Sequence, residues 1–260
     1  MAHAPPPTPW LIFSPRPQAR LRLFCFPYAG GGALIFRGWQ ESLPASVEVC
    51  PLQLPGRERR LPEKAFTRME PLVGEIAKVL LPYLDKPFAF FGHSMGGIIS
   101  FELTRRLRRE HGLQPEQLFV SGRRAPQIPS TKPITYDLPE EELIEELRRL
   151  NGTPKEVLEH PELLGLLLPV LRADFELIQT YQYTAEPPLD CPISAFGGLE
   201  DVDVGRELLE GWREQTTASF ALRILPGDHF FLHSSKGTLL RILSQEISQV
   251  VDRLDKKQGP

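Results

Sequence analysis

Apolar and polar positions along this chain follow a strand–helix rhythm that is interrupted once. Residues 21–26 (LRLFCF) read as a buried strand, 33–43 as a helix, 47–52 as a strand and 70–84 as a helix. Residues 87–94 (PFAFFGHS) read as a strand running into a sharp turn, 96–109 as a helix with an arginine-rich face, and 118–121 as another strand. Short apolar runs alternating with longer helices specify an α/β fold with a mostly parallel sheet covered by helices on both faces.

From residue 125 to 188 the strand pattern is absent. Four short helical stretches, 139–150, 154–160, 161–168 and 170–183, are separated by prolines. This block is rich in leucine (Leu163, Leu164, Leu166, Leu167, Leu168), and its first part is strongly acidic (Glu140, Glu141, Glu142, Glu145, Glu146). The rhythm then resumes with a strand at 193–196, a helix at 204–212, a strand at 220–225 and a helix at 239–254. The simplest organisation is one α/β domain made of 21–124 and 189–260, with 125–188 inserted as a helical lid. Residues 1–20 form a proline-rich lead-in, extended and partly mobile. Short helices with little mutual packing are marginal on their own, which suits a lid that moves.

Composition sharpens this division. With 260 residues, 41% of them hydrophobic and 24% charged, the chain can bury a real core, and disordered, collagen-like and disulfide-scaffold classes are excluded. Its 27 prolines are unusual: six lie in the first 17 residues and nine between 125 and 188, so the excess marks the lead-in and the insertion. Most of the others punctuate element edges, as at Pro51, Pro55, Pro87, Pro192 and Pro226. A net charge of −3 argues against a broad nucleic-acid footprint. No apolar run reaches the ~18 residues of a membrane span, and the N-terminus lacks a secretory pattern. Cys25, Cys50 and Cys191 fit neither a metal spacing nor a disulfide framework, and a cytoplasmic location is expected.

The strongest chemical signal is Gly92-His93-Ser94-Met95-Gly96, a G-x-S-x-G between a predicted strand and a predicted helix. The serine must occupy a tight, strained turn for its hydroxyl to project. Flanking glycines let strand and helix approach without a Cβ clash, and the helix N-terminus favours a developing anion. A serine nucleophile needs a base oriented by a third group, and on such an elbow the chain order is serine, acid, histidine. His229, in a loop directly after the 220–225 strand, is preferred as base over His233. Three carboxylates compete for the acid after the 193–196 strand. Asp201 fits the spacing G-x-x-D-x-x-V, Asp203 could instead cap the next helix, and Glu200 is expected to be solvated. An oxyanion hole needs two backbone N–H groups. Met95 would supply one; Ala29 or Tyr28, in the glycine run Phe26-Pro27-Tyr28-Ala29-Gly30-Gly31-Gly32, would supply the other. That run lacks both dinucleotide and P-loop spacing.

FPYAGGG, Leu54-Pro55-Gly56-Arg57-Glu58, Gly92-His93-Ser94-Met95-Gly96-Gly97, Gly198-x-x-Asp201-x-x-Val204 and Gly227-Asp228-His229-Phe230-Phe231 stand in the order seen in type II thioesterases. The chain resembles these stand-alone editing α/β-hydrolases of polyketide synthase and non-ribosomal peptide synthetase systems from about Arg20 to its final helix. The resemblance implies an α/β-hydrolase fold, a Ser94–Asp201–His229 triad and an oxyanion hole made by the Ala29 and Met95 N–H groups. It also implies a substrate carried on the phosphopantetheine arm of an acyl or peptidyl carrier protein, hydrolysed through an acyl-serine, with no metal and no cofactor of the enzyme's own. Medium-chain thioesterases acting on fatty acid synthase look much the same, and a carboxylesterase or acyltransferase would use the same triad. With Met1 about twenty residues before the first strand, a stand-alone enzyme is expected; separately, a monomer is expected. Tyr28 and Met95 are expected to line the substrate entrance. Arginines cluster at Arg57, Arg59 and Arg60, at Arg105, Arg106, Arg108 and Arg109, and at Arg123 and Arg124. Most read as solvated charges, the sharper alternative being a docking patch for an acidic carrier protein, with Arg59 and Arg60 its test.

Overall fold

A computed structural model describes residues 7–153 and 155–257. Six strands, β1 (Leu21–Phe26), β2 (Val47–Pro51), β3 (Phe88–His93), β4 (Gln117–Ser121), β5 (Ile193–Gly198) and β6 (Phe220–Leu225), form one parallel sheet in the order β2-β1-β3-β4-β5-β6. Side chains alternate across it, as the strand period of two requires. Phe24, Phe26, Phe88 and Phe90 enter the core on one face, and Leu21, Leu23, Ala89 and Phe91 the core on the other. All eight are essentially inaccessible to water, each large side chain contributing roughly 1.5–3 kcal/mol of hydrophobic stabilisation.

The first face is covered by α2 (Met69–Leu80) and α3 (Met95–His111), the second by the short α1 (Trp39–Ser42) and α8 (Phe231–Ser234) and the long α9 (Lys236–Lys257). In α2 the buried residues Met69, Leu72, Val73, Ile76, Ala77 and Leu80 recur at helical spacing and make one apolar stripe. The stretch expected as one helix at 33–43 is a 3-10 turn, Ala33–Phe36, followed by α1. Gly38 at φ 80° breaks it, a conformation that ends a helical run cheaply only at glycine. The expected 204–212 helix begins later, as α7 (Arg206–Glu210) running into a 3-10 turn, Gly211–Gln215.

Between β4 and β5 lie α4 (Glu140–Leu150), α5 (Lys155–Leu158) and α6 (Pro161–Gln179). Pro154, expected to open a helix, lies outside the described residues. The break expected at Pro169 does not occur: α6 passes through it. Leu164 and Leu168 before the proline and Val170, Leu171 and Leu177 after it are all buried, and this burial outweighs the one hydrogen bond that proline forfeits. Leu143, Leu147, Leu158, Leu164, Leu168 and Leu171 make a small core of their own, whereas Leu177 and the flanking Ile178, Tyr181 and Tyr183 pack into the core of the sheet domain. The segment is therefore a subdomain at one end and part of the main body at the other.

Of the lead-in, residues 1–6 lie outside the described residues. The remainder is held: Trp10 and Leu11 are buried, Leu11 bridges antiparallel to Leu52, and the Ile12 and Gln53 N–H groups donate to the Pro51 and Trp10 carbonyls. This strap covers the β2 edge of the sheet, a position where unpaired backbone groups would otherwise be exposed.

Candidate active site

Ser94 joins β3 to α3 at φ 51°, ψ −112°, a backbone conformation that non-glycine residues seldom adopt and that the surroundings must impose. Its N–H donates to the Ser121 carbonyl at 2.7 Å, fixing the turn to β4. The two motif glycines are sterically required. A Cβ at Gly92 would sit 2.1 Å from the Gly96 carbonyl oxygen, and one at Gly96 would sit 2.1 Å from the Phe26 carbonyl oxygen. The elbow is thus packed directly on the end of β1, where the glycine run starts.

Asp201 follows β5 and is 7% exposed. Its Oδ1 accepts from the Asp203 and Val204 N–H groups at 2.9 and 3.0 Å, and its Oδ2 accepts from His229 Nδ1 at 2.7 Å. Burial pushes this carboxyl up, but the His229 hydrogen bond and charge together with the two backbone donors hold it below the usual range. Of the competing carboxylates, Glu200 is exposed. Asp203 is not a helix cap, since α7 starts from Gly205; it pairs instead with Lys132, and with Arg149 at 3.7 Å. His233 has no acid partner among the described residues and shares a 2.9 Å hydrogen bond with the Tyr28 hydroxyl. The geometry therefore favours Asp201 and His229 over the alternatives left open by spacing.

Ser94, His229, Tyr28 and Ala29 open onto one cavity of about 970 Å³, at the upper end of ordinary ligand-site volumes. Among the described residues no hydrogen bond joins Ser94 Oγ to His229; such contacts often tighten only when substrate is bound. Leu171, Phe175 and Ile178 of α6 supply apolar wall from the 125–188 segment. Met95 is fully buried, so its side chain does not line the entrance as expected. No hydrogen bond among the described residues occupies the Ala29 or Met95 N–H, which leaves both donors available. Tyr28 lines the cavity with its ring edge-on to His93, Phe230 and His233, and burial raises its hydroxyl pKa.

Of the two arginines expected to test carrier docking, Arg59 is exposed and Arg60 is not. Arg60 is buried, bonded to Glu63 and the Gln53 carbonyl and lying 4.1 Å over the Trp10 ring. Arg57, Arg105 and Arg123 are buried as well, and Arg106, Arg108 and Arg109 pair with Glu70, Glu110 and Glu186.

Three residues at or beside the site carry no specific role in the motif reading. His93 is fully buried, 5.3 Å ring to ring from His229, with Nδ1 on Ser121 Oγ at 2.8 Å. Burial, then the neighbouring His229 and His233, push its pKa well down, so it stays neutral beneath the site. Arg57 and Asp174 form a buried two-point ion pair, at 2.7 and 2.8 Å, next to the glycine run. The local sequence does not single out Asp174, which lies between Arg172 and Glu176 in the same helix.

A model of the thioesterase domain matches residues 21–247. The gramicidin S biosynthesis protein GrsT of Aneurinibacillus migulanus is 49% identical over 90% of this chain and 91% of its own length. A Brevibacillus parabrevis protein named linear gramicidin dehydrogenase LgrE is 48% identical over 93% of both chains. The solved RedJ thioesterase from the prodiginine biosynthetic pathway of Streptomyces coelicolor superposes with a TM-score of 0.80 at 44% identity, over 88% of this chain and 86% of that one. The medium-chain S-acyl fatty acid synthase thioesterase of Rattus norvegicus is less similar, at 36% identity over 83% of each chain. With its doubly covered parallel sheet and its serine elbow facing an acid–histidine pair across one cavity, this chain belongs to the thioesterase family, on the α/β-hydrolase fold.

Proposed function

We propose that this thioesterase is a stand-alone type II enzyme that clears acyl groups from the phosphopantetheine arms of carrier proteins in a non-ribosomal peptide or polyketide assembly line. The observation that carries the chemistry is the Asp201–His229 contact on the same cavity as the strained Ser94. His229, oriented by Asp201, takes the Ser94 proton as Oγ attacks the thioester carbonyl. The Ala29 and Met95 N–H groups receive the negative charge that develops on the carbonyl oxygen. The carrier-bound thiol leaves with the proton from His229. Water, deprotonated by the same histidine, then cleaves the acyl-serine and restores the hydroxyl. Residues 125–188 act as the lid over the acyl cavity.

The high identity to GrsT and RedJ supports an antibiotic-type assembly line over fatty acid synthase. A dehydrogenase reading, which one relative's name invites, finds no footing in the chain. The glycine run at 30–32 lacks dinucleotide spacing, and it leads into a four-residue 3-10 turn, not a helix long enough to receive a pyrophosphate.

The test is a carrier protein loaded with an acyl group, followed by mass spectrometry with wild type and with Ser94→Ala. Release by wild type alone supports the proposal. Ester hydrolysis without carrier release would favour a carboxylesterase, and transfer to an added alcohol or amine an acyltransferase.

A further inference from the structure

The Arg57 guanidinium and the Asp174 carboxylate are 5% and 2% exposed, so this charge pair sits in the protein interior. The desolvation of such a pair usually cancels its attraction, and a stability role alone gives little reason to bury it here. Its other contacts are informative. Asp174 Oδ2 accepts from the Gly30 N–H at 2.7 Å, and Arg57 Nη1 donates to the Gly31 carbonyl at 3.2 Å. Arg57 is itself fixed by Nε to the Pro55 carbonyl at 3.2 Å, while its own carbonyl accepts from Gln53 Nε2 at 3.0 Å.

These contacts clasp one tight turn. The Tyr28 carbonyl accepts from the Gly31 N–H at 2.9 Å, which fixes the plane of the Tyr28–Ala29 peptide. Because the peptide is planar and trans, the Ala29 N–H must point the opposite way from that carbonyl. Asp174 and Arg57 hold the two following residues of the turn, and α6 closes against it. A Cβ on Gly30, which has φ +76°, would lie 2.7 Å from Leu171 Cδ2. Glycine is favoured there by the angle, and the Leu171 side chain closes directly on it.

We infer that Arg57 and Asp174 are a positioning pair for the reaction, holding the 28–31 turn so that the Ala29 N–H is aimed at the developing oxyanion, with α6 as the bridge between lid and oxyanion hole. The inference rests on the proposed roles of Ser94 and Ala29. Neither residue of the pair touches the reacting atoms. The Leu-Pro-Gly-Arg segment thereby gains a physical role, since it delivers a fork-shaped cation that satisfies Asp174 at two points and still reaches a carbonyl of the turn.

The experiment uses the whole protein, butyryl-N-acetylcysteamine as a small thioester, and butylboronic acid, whose tetrahedral adduct on serine carries an oxygen in the oxyanion position. Three variants are compared: Arg57→Met with Asp174→Leu, Asp174→Asn alone, and Ser94→Ala. The double variant removes both charges, so its melting temperature is expected to stay close to wild type. Its kcat is expected to fall about 10- to 100-fold, with KM changed less than about twofold, and boronate affinity falls in proportion to kcat. Asp174→Asn, which keeps the shape, shows the same signature at about tenfold and decides the matter if the double variant does not fold. Wild-type kcat in the folded variants, a loss confined to KM, or a loss of kcat with unchanged boronate affinity would overturn the inference. Hydrolysis by Ser94→Ala would instead overturn the reading beneath it.

Discussion

His229 Nδ1 lies 2.7 Å from Asp201 Oδ2, and the other oxygen of that carboxylate is held by the Asp203 and Val204 N–H groups. The loop thus fixes the acid before the acid fixes the base. Asp201→Asn keeps the backbone contacts but turns an amide N–H₂ toward the ring, which then presents the wrong tautomer to Ser94. We expect kcat on a carrier-bound thioester to fall by about 10⁴, with the thermal transition of the fold retained. Steady-state kinetics with circular dichroism melting checks both halves of this expectation.

The same carboxylate makes stability depend on pH. Its folded pKa lies below the unfolded value, so its contribution is fully present above the unfolded pKa and is lost as pH falls through the folded one. The stability gap between wild type and Asp201→Asn is therefore widest near neutrality and closes on acidification below about pH 4. Urea unfolding of both proteins from pH 7 to pH 2.5 measures it; a gap that widens in acid contradicts the assignment.

Glycines in this chain differ sharply in what they do. Gly96→Ala drives a Cβ into the Phe26 backbone oxygen, 2.1 Å away, and we expect a loss of more than about 3 kcal/mol or no folded protein at all. Gly165, on the exposed face of α6, would place a Cβ in open space, with nothing within 4 Å of it. Gly165→Ala should stabilise by about 0.5–1 kcal/mol. Chemical denaturation of the two variants checks the contrast.

The lid is not uniform. Asn151 Nδ2 donates to Asp228 at 3.0 Å, and Gly152 packs against Phe230, so the α4–α5 connection rests on both neighbours of His229. Yet α4 buries only Leu143 and Leu147, whereas the end of α6 buries Val170, Leu171, Asp174 and Leu177. Amide hydrogen exchange should therefore be fast over 140–158 and slow over 170–179. Protection over 140–158 equal to that of the sheet would remove a moving lid from the account.

How far the sequence carried is clear from particular residues. The six strands were legible because their apolar runs are short and bounded by turns, and Ser94 because strand, glycine and helix converge on one residue. Asp201 and His229 were legible from spacing after strands, though only contact separated them from Asp203 and His233. The break expected at Pro169 failed because a local rule was outweighed by burial on both sides of it. Which arginines face solvent was not legible, because linear clustering does not say which way a side chain points: Arg59 is exposed, whereas Arg60 lies over Trp10, which precedes it by fifty positions. Asp174 was missed because its partner Arg57 is more than a hundred residues away, a relation that periodicity does not contain.

The central claim is that Ser94 takes the acyl group from a carrier-bound thioester. Rapid-quench mass spectrometry of the enzyme mixed with butyryl-loaded carrier protein tests it most directly. The predicted result is a butyryl adduct that appears within the first turnover and maps to Ser94. The adduct persists in His229→Ala if it forms there and is absent in Ser94→Ala. An adduct on any other residue, or carrier release by Ser94→Ala at the wild-type rate, would contradict it.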